Sequence, residues 1–252
     1  MTKPFASKYP VQSAKEKIIV ALDVATASEA RRIVTELREH VGAFKIGSQL
    51  FTAAGHSLVK EFTEAGIKIF LDLKFHDIPN TVANAAVEAA RLGVWMLNVH
   101  TLGGGEMMRR TVEEVQTVCE KEKIAKPLVI GVTILTSSND ATLHEVGINA
   151  EVEAEVVRLA GLAAECGLDG VVASPQEVAA IKKAVTRHDF LIVTPGIRPL
   201  SATKDDQKRV KTVAQAIECG SDFIVIGRPI IQAENRSEAV KEIIGEIETT
   251  HK

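Results

Sequence analysis

Asp72 and Lys74 stand two residues apart in the stretch IFLDLKFHDIPNT (69–81), directly behind the apolar residues Ile69, Phe70 and Leu71. On an extended chain, residues two apart project from the same face. An acid and an amine would therefore leave the end of a strand side by side, with His76 and Asp77 following. Burying such groups is costly unless they are paired and put to use. An ammonium fixed among carboxylates can stabilise negative charge as it builds on a substrate and then deliver a proton to it. That chemistry identifies 69–81 as the centre of an enzyme.

A second group of residues reads as an anion grip. TPGIRP (194–199) and IGRP (226–229) each place a glycine next to an arginine. Backbone amides at Gly196 and Gly227 can approach an anion closely, and Arg198 and Arg228 offer forked donors that match phosphate oxygens. A phosphorylated substrate is expected. His76 and His100, with Asp72 and Asp77, invite a metal reading. Lys45 and Lys74 oppose it, because they would set ammonium groups where a divalent ion belongs, and no HExxH spacing occurs. No metal is assigned. Ser174 lacks the GxSxG elbow of a hydrolase nucleophile.

The elements that must carry these residues alternate along the chain. Apolar runs at 18–23, 43–47, 68–74, 95–100, 128–133, 170–174, 191–194 and 223–226 read as strands. Helical patterns follow at 27–40 (Ser28 as cap), 55–65, 80–91 behind Pro79, 105–120, 151–166, 175–185 opened by Pro175, 210–219 and 237–248. A helix end, a glycine and a new strand recur as EAGIKIF, RLGVWML, ECGLDGVV and ECGSDFIV, around Gly66, Gly93, Gly167 and Gly220. Glycine just past a helix is the usual left-handed stop. Short apolar strands alternating with helices mean a parallel sheet buried on both faces.

Eight such units in 252 residues predict a single α/β domain, a (β/α)8 TIM barrel over 18–252 with residues 1–17 as a short N-terminal lead-in. A doubly wound open sheet is the alternative, but no GxGxxG opens the first unit. In a barrel the C-terminal strand ends build the site. Here those ends carry Asp23, Lys45, Asp72 with Lys74, His100, Thr133 to Thr136, Ser174, Thr194 and Gly227. Loops after the seventh and eighth strands commonly hold a substrate phosphate, where the two Gly–Arg turns fall.

Bulk properties narrow the partners. A net charge of -3 and a pI near 6.2 give no reason to expect nucleic acid. No apolar run reaches the roughly 18 residues of a membrane span, and residues 1–17 lack the apolar core of a secretory signal. Cys119, Cys166 and Cys219 form no CxxC pair and read as packing residues, so a cytoplasmic protein is expected.

LDLKFHDIPNT (71–81), TPGIRP (194–199) and VIGRP (225–229), in this order and spacing, resemble the family of bacterial-type orotidine 5′-monophosphate decarboxylases. The resemblance runs from about Ile18 to the last helix. It implies a homodimeric (β/α)8 barrel that converts orotidine monophosphate to uridine monophosphate and CO2 in pyrimidine biosynthesis, without cofactor. Matched to that pattern, Asp23 and Lys45 flank the ribose hydroxyls. Asp72 and Lys74 face the reacting carbon, with Lys74 as proton donor, and Lys45, Asp72, Lys74 and Asp77 form an alternating charge chain. Asp77 and Thr81 reach into the neighbouring subunit's site. Thr136 in ILTSS and Ser174 in VVASPQE contact substrate near the nucleotide. Arg198, Gln207, Gly227 and Arg228 bind the nucleotide, the last three nearest the phosphate. From its polar composition, the segment 200–207 is expected to close over the phosphate. The alternative within the resemblance is a Mg²⁺-dependent sister barrel such as 3-keto-L-gulonate 6-phosphate decarboxylase, whose second strand ends in a glutamate ligand where this chain has Lys45.

Overall fold

Eight apolar runs of three to seven residues close into one parallel barrel. In the computed structural model, which describes residues 13–198 and 211–250, they are β1 (Ile18–Ala21), β2 (Ala43–Gly47), β3 (Ile69–Phe75), β4 (Met96–His100), β5 (Leu128–Val132), β6 (Gly170–Val172), β7 (Leu191–Thr194) and β10 (Phe223–Ile226). Two two-residue strands, β8 (Ile197–Arg198) and β9 (Lys211–Thr212), pair in parallel outside the barrel. The ring closes by β1 pairing with both β2 and β10. Residues 200–207, Gln207 among them, lie outside the described residues, as do 1–12.

Strict alternation fills the barrel. Ile19, Phe70, Met96, Ile130, Val193 and Val225 point inward and pack on one another, while their neighbours Ile18, Leu71, Leu97, Val129 and Ile224 point outward against the helices. Trp95, just before β4, meets the ring of Phe223, the first residue of β10, edge-on at 5.2 Å, so the N-terminal end is plugged. The inward positions nearer the C-terminal ends are Asp23, Lys45, Asp72, Asn98 and His100. The same alternation that makes the floor apolar makes the mouth charged.

The glycine stops hold at all four repeats. Gly66, Gly93, Gly167 and Gly220 have φ of 76°, 76°, 82° and 100°. Two repeats share a further device. Asp169 accepts the Val129 N–H at 2.9 Å and Asp222 accepts the Ile192 N–H at 2.8 Å, so each aspartate ties the strand it opens to its neighbour.

The helices are α1 (Ala27–Leu37), α2 (Ser48–Glu64), α3 (Pro79–Arg91), α4 (Gly104–Glu122), α5 (Asp140–Glu145), α6 (Val152–Glu165), α7 (Val178–Ala184), α8 (Val213–Glu218), α9 (Arg228–Ile231) and α10 (Arg236–Thr249). Several expected boundaries move. The cap of α1 is Thr26, whose hydroxyl accepts the Glu29 N–H at 3.2 Å; Ser28 already lies in the first turn. The α2 helix starts at Ser48, not Gly55, which instead breaks it with φ 69°. Pro175 opens a turn rather than α7: the Glu177 carboxylate folds back onto the Ser174 N–H at 2.8 Å, and the helix begins behind it. The polar loop after β5 contains α5, capped by Asn139 on the Thr142 N–H at 3.0 Å and anchored by buried Leu143. Pro79 takes the first turn of α3, as expected.

Helix α3 buries a face of small residues, Ala83, Ala86, Ala89 and Ala90, and lies against α4. Arg91 at its end reaches Glu122 of α4 at 2.6 Å. This pair of helices fixes the loops that leave β3 and β4, where the charged residues stand.

Candidate active site

Four charges alternate across the mouth of the barrel. Lys45 Nζ sits 3.2 Å from Asp23 Oδ1 and 3.2 Å from Asp72 Oδ2. Asp72 Oδ1 in turn lies 2.7 Å from Lys74 Nζ. The side chains of Lys45 and Asp72 are 11% and 12% exposed, whereas Lys74 is 38% and Asp23 53% exposed. The inner pair is therefore anchored in the barrel, and the outer two reach the open mouth where a small molecule can meet them.

Burial works against the charge on Lys45, but the carboxylates of Asp72 and Asp23 outweigh it and hold its pKa above the ordinary lysine value. Burial likewise opposes the Asp72 carboxylate. The ammoniums of Lys45 and Lys74, with hydrogen bonds from Lys74 and Asn98, outweigh it and keep its pKa below the ordinary aspartate value. At neutral pH both groups are charged, and each is the reason the other can be.

Lys74 is set by an unusual backbone. Its φ is +53°, one of two positive values among the described non-glycine residues. The left-handed region costs an L-residue about 1–2 kcal/mol. Around it the β3–β4 ladder slips, with Leu71 opposite Leu97 and Phe75 opposite Val99. Such irregularities re-aim side chains next to active sites. Asn98, fully buried on β4, accepts the Lys74 N–H at 2.8 Å and donates to Asp72 Oδ1 at 2.7 Å. Asn98 is inconspicuous in the sequence because it lies inside β4 rather than at the strand end. Its parity with His100 in WMLNVH was the signal.

Glycine makes room on both sides of Asp23. A Cβ at Gly47 would stand 3.2 Å from Lys45 Nζ, and one at Gly227 would stand 3.4 Å from Asp23 Oδ2. Gly47 was also overlooked: its backbone is ordinary, so what it supplies is space.

His100 ends β4 and stacks on His76, ring centroids 5.3 Å apart. Burial first, then neighbouring His76 and Lys74, push its pKa down to about 4, so it is neutral at physiological pH. Its Nδ1 is buried without a hydrogen-bond partner among the described residues. Among those residues no group of three or more His, Cys, Asp or Glu side chains could hold a metal ion.

The other expected residues distribute unevenly. Asp77 and Thr81 are exposed at the start of α3, and the Asp77 carboxylate accepts the Ile78 N–H at 2.6 Å. Within one chain, then, Asp23 rather than Asp77 completes the alternation with Lys45, Asp72 and Lys74. Thr136 is half-buried in the loop after β5. Ser174 is buried behind β6, its hydroxyl accepting the Gln176 N–H at 3.4 Å. Thr133 and Thr194 face away from the cluster, bonding the Val172 carbonyl and the Ser221 hydroxyl. Gly227 and Arg228 follow β10 directly, and the backbone of Arg198 lies in β8. Gln207 falls outside the described residues.

A closed (β/α)8 barrel with a buried Lys45–Asp72 pair flanked by the more exposed Asp23 and Lys74 at the C-terminal ends of its first three strands is an enzyme of the barrel class, its chemistry at the mouth. The model of the orotidine 5′-phosphate decarboxylase / HUMPS family matches residues 16–243, and the chain belongs to that family. Orotidine 5′-phosphate decarboxylase of Geotalea daltonii is 54% identical over 234 residues, covering 93% of this chain and 97% of the relative. That of Syntrophomonas wolfei is 52% identical over 237 residues, covering 93% and 99%. The crystal structure of orotidine 5′-phosphate decarboxylase from Lactobacillus acidophilus superimposes with a TM-score of 0.79 at 38% identity, covering 91% of this chain and 98% of that one.

Proposed function

We infer that this chain removes CO2 from orotidine 5′-monophosphate to give uridine 5′-monophosphate. The observation that carries this reading is the chain of charges Asp23, Lys45, Asp72 and Lys74 at the barrel mouth. When the C6–carboxyl bond breaks, its electron pair stays on C6 in an in-plane orbital that the pyrimidine ring cannot delocalise. A fixed ammonium is what such a carbanion needs. Lys74 stabilises the developing charge and then gives its proton to C6, while Asp72 and Lys45 hold it in place. Asp23 and Lys45 take the ribose hydroxyls, and Thr136 and Ser174 lie along the nucleotide. Arg198, Gln207, Gly227 and Arg228 bind the nucleotide, the last three at the phosphate end, whose binding energy is realised at the reacting carbon.

The functional unit is a homodimer in which Asp77 and Thr81 complete the neighbour's site. Support comes from their exposure and from Ile78 between them, an apolar side chain 66% exposed. Leu102 and Leu135, on the next two loops of the same rim, are also exposed, at 41% and 43%. A cytoplasmic setting fits three free cysteines.

The family also includes activities other than decarboxylation of this nucleotide, and a Mg²⁺-dependent sister reaction is disfavoured by Lys45. Its ammonium occupies the space between the Asp23 and Asp72 carboxylates, where it would repel a divalent ion. Purified protein mixed with orotidine monophosphate and EDTA tests the reading. Release of CO2 with the matching ultraviolet change is expected; an inert mixture that EDTA-free Mg²⁺ revives would contradict it.

A further inference from the structure

We propose that Asn98 is a positioning residue for the decarboxylation: its amide locks Lys74 onto the left-handed backbone and aims the Asp72 carboxylate, so the Lys74 ammonium stands where the departing group leaves its electron pair. This rests on the decarboxylase reading above.

The ladder explains why a side chain is needed. Leu71 is in register with Leu97 and Phe75 with Val99, so β3 spends three residues, 72–74, where β4 spends one. The Lys74 N–H therefore has no carbonyl rung to meet, and Asn98 Oδ1 accepts it instead at 2.8 Å. The other end of the same amide donates to Asp72 Oδ1 at 2.7 Å. Only one orientation of the amide works. Flipped, it would oppose a donor with a donor and a carboxylate with an oxygen. Asp72 Oδ1 is thus shared between Lys74 Nζ and Asn98 Nδ2, while Oδ2 faces Lys45. Asn98 is fully buried, so nothing from solvent replaces it. It grips both ends of the Asp72–Lys74 pair.

Two substitutions separate positioning from mere filling. Asn98→Leu keeps volume and removes both hydrogen bonds. Asn98→Asp keeps the shape and the acceptor for the Lys74 N–H but sets an oxygen against Asp72. When the introduced carboxyl takes a proton, its O–H donates to Asp72 and its C=O accepts from Lys74, which restores both bonds of the amide. The groups facing it are Asp72 and Lys74 from β3, Lys45 from β2 and His100 on its own strand; its β5 neighbour, Ile130, brings no charge.

Steady-state turnover of orotidine monophosphate from pH 5.5 to 8.5, with circular dichroism to check folding, reads the outcome. We expect kcat to fall about 100-fold in Asn98→Leu at every pH, the size of a misplacement near one ångström, with KM changed less than about threefold. Asn98→Asp should show a comparable deficit at high pH that shrinks as pH falls, relative to wild type. Wild-type kcat in either folded variant, a loss confined to KM, or an Asn98→Asp deficit that is flat with pH would overturn the assignment. Should Asn98→Leu not fold, the pH profile of Asn98→Asp alone decides. A wild type that leaves the nucleotide intact sinks the decarboxylase reading and this one with it. An active wild type with equally active variants sinks only the role of Asn98.

Discussion

Lys74 combines a strained backbone with a paired side chain. Its ammonium is fixed from one side by Asp72 and its amide N–H from the other by Asn98, so the positive φ is held rather than tolerated. His100 belongs to the same neighbourhood and shows how the site keeps unwanted charge out. With its folded pKa near 4 against an ordinary value of 6.5, the unfolded chain binds a proton there between those pH values and the folded chain does not. The native state therefore loses stability as pH falls through that window. His100→Phe, which can still stack on His76, should flatten the dependence of urea-unfolding stability between pH 6.5 and 4.5. Parallel curves for the two proteins would show that His100 titrates normally.

Most elements were legible from their residues, and the exceptions have local causes. The four helix–glycine–strand repeats located strand starts to within a residue, because a positive φ is demanded there and glycine supplies it. Helix starts were harder, since Thr26 and Ser28 are both good caps and only the backbone decides. Thr26→Ala should destabilise the protein by about 1 kcal/mol and Ser28→Ala by little, measured by urea unfolding; the reverse order would restore Ser28 as the cap. The charged residues of the site were visible because acids and amines at strand ends stand out. Asn98 and Gly47 were not, since their contributions come from across a strand pair: a hydrogen bond to a slipped ladder in one case, and the absence of a side chain beside Lys45 in the other. Helix α5 has no counterpart in the sequence patterns because a single buried leucine gives no periodicity to read.

Barrel alternation divides the whole molecule into an apolar floor closed by Trp95 and Phe223 and a charged mouth. One chain presents Lys74 to that mouth and leaves Asp77 exposed; in the twofold dimer proposed above each subunit would lend its Asp77 to the other. Mixing inactive Lys74→Ala and Asp77→Ala proteins, with unfolding and refolding to exchange subunits, tests it. Each mixed dimer regains one intact site, so about a quarter of wild-type activity should return under statistical pairing. A mixture no more active than its parents would place Asp77 outside the shared site.

The most direct measurement concerns the Lys74 ammonium itself: single-turnover CO2 release from orotidine monophosphate by wild type and Lys74→Ala, beside calorimetric binding of uridine monophosphate to both. Turnover should drop by at least about 10⁴-fold, the combined reach of a lost proton donor and a lost charge stabiliser, while product affinity stays within about tenfold. Appreciable turnover in Lys74→Ala would show that the carbanion is sheltered by something other than this lysine.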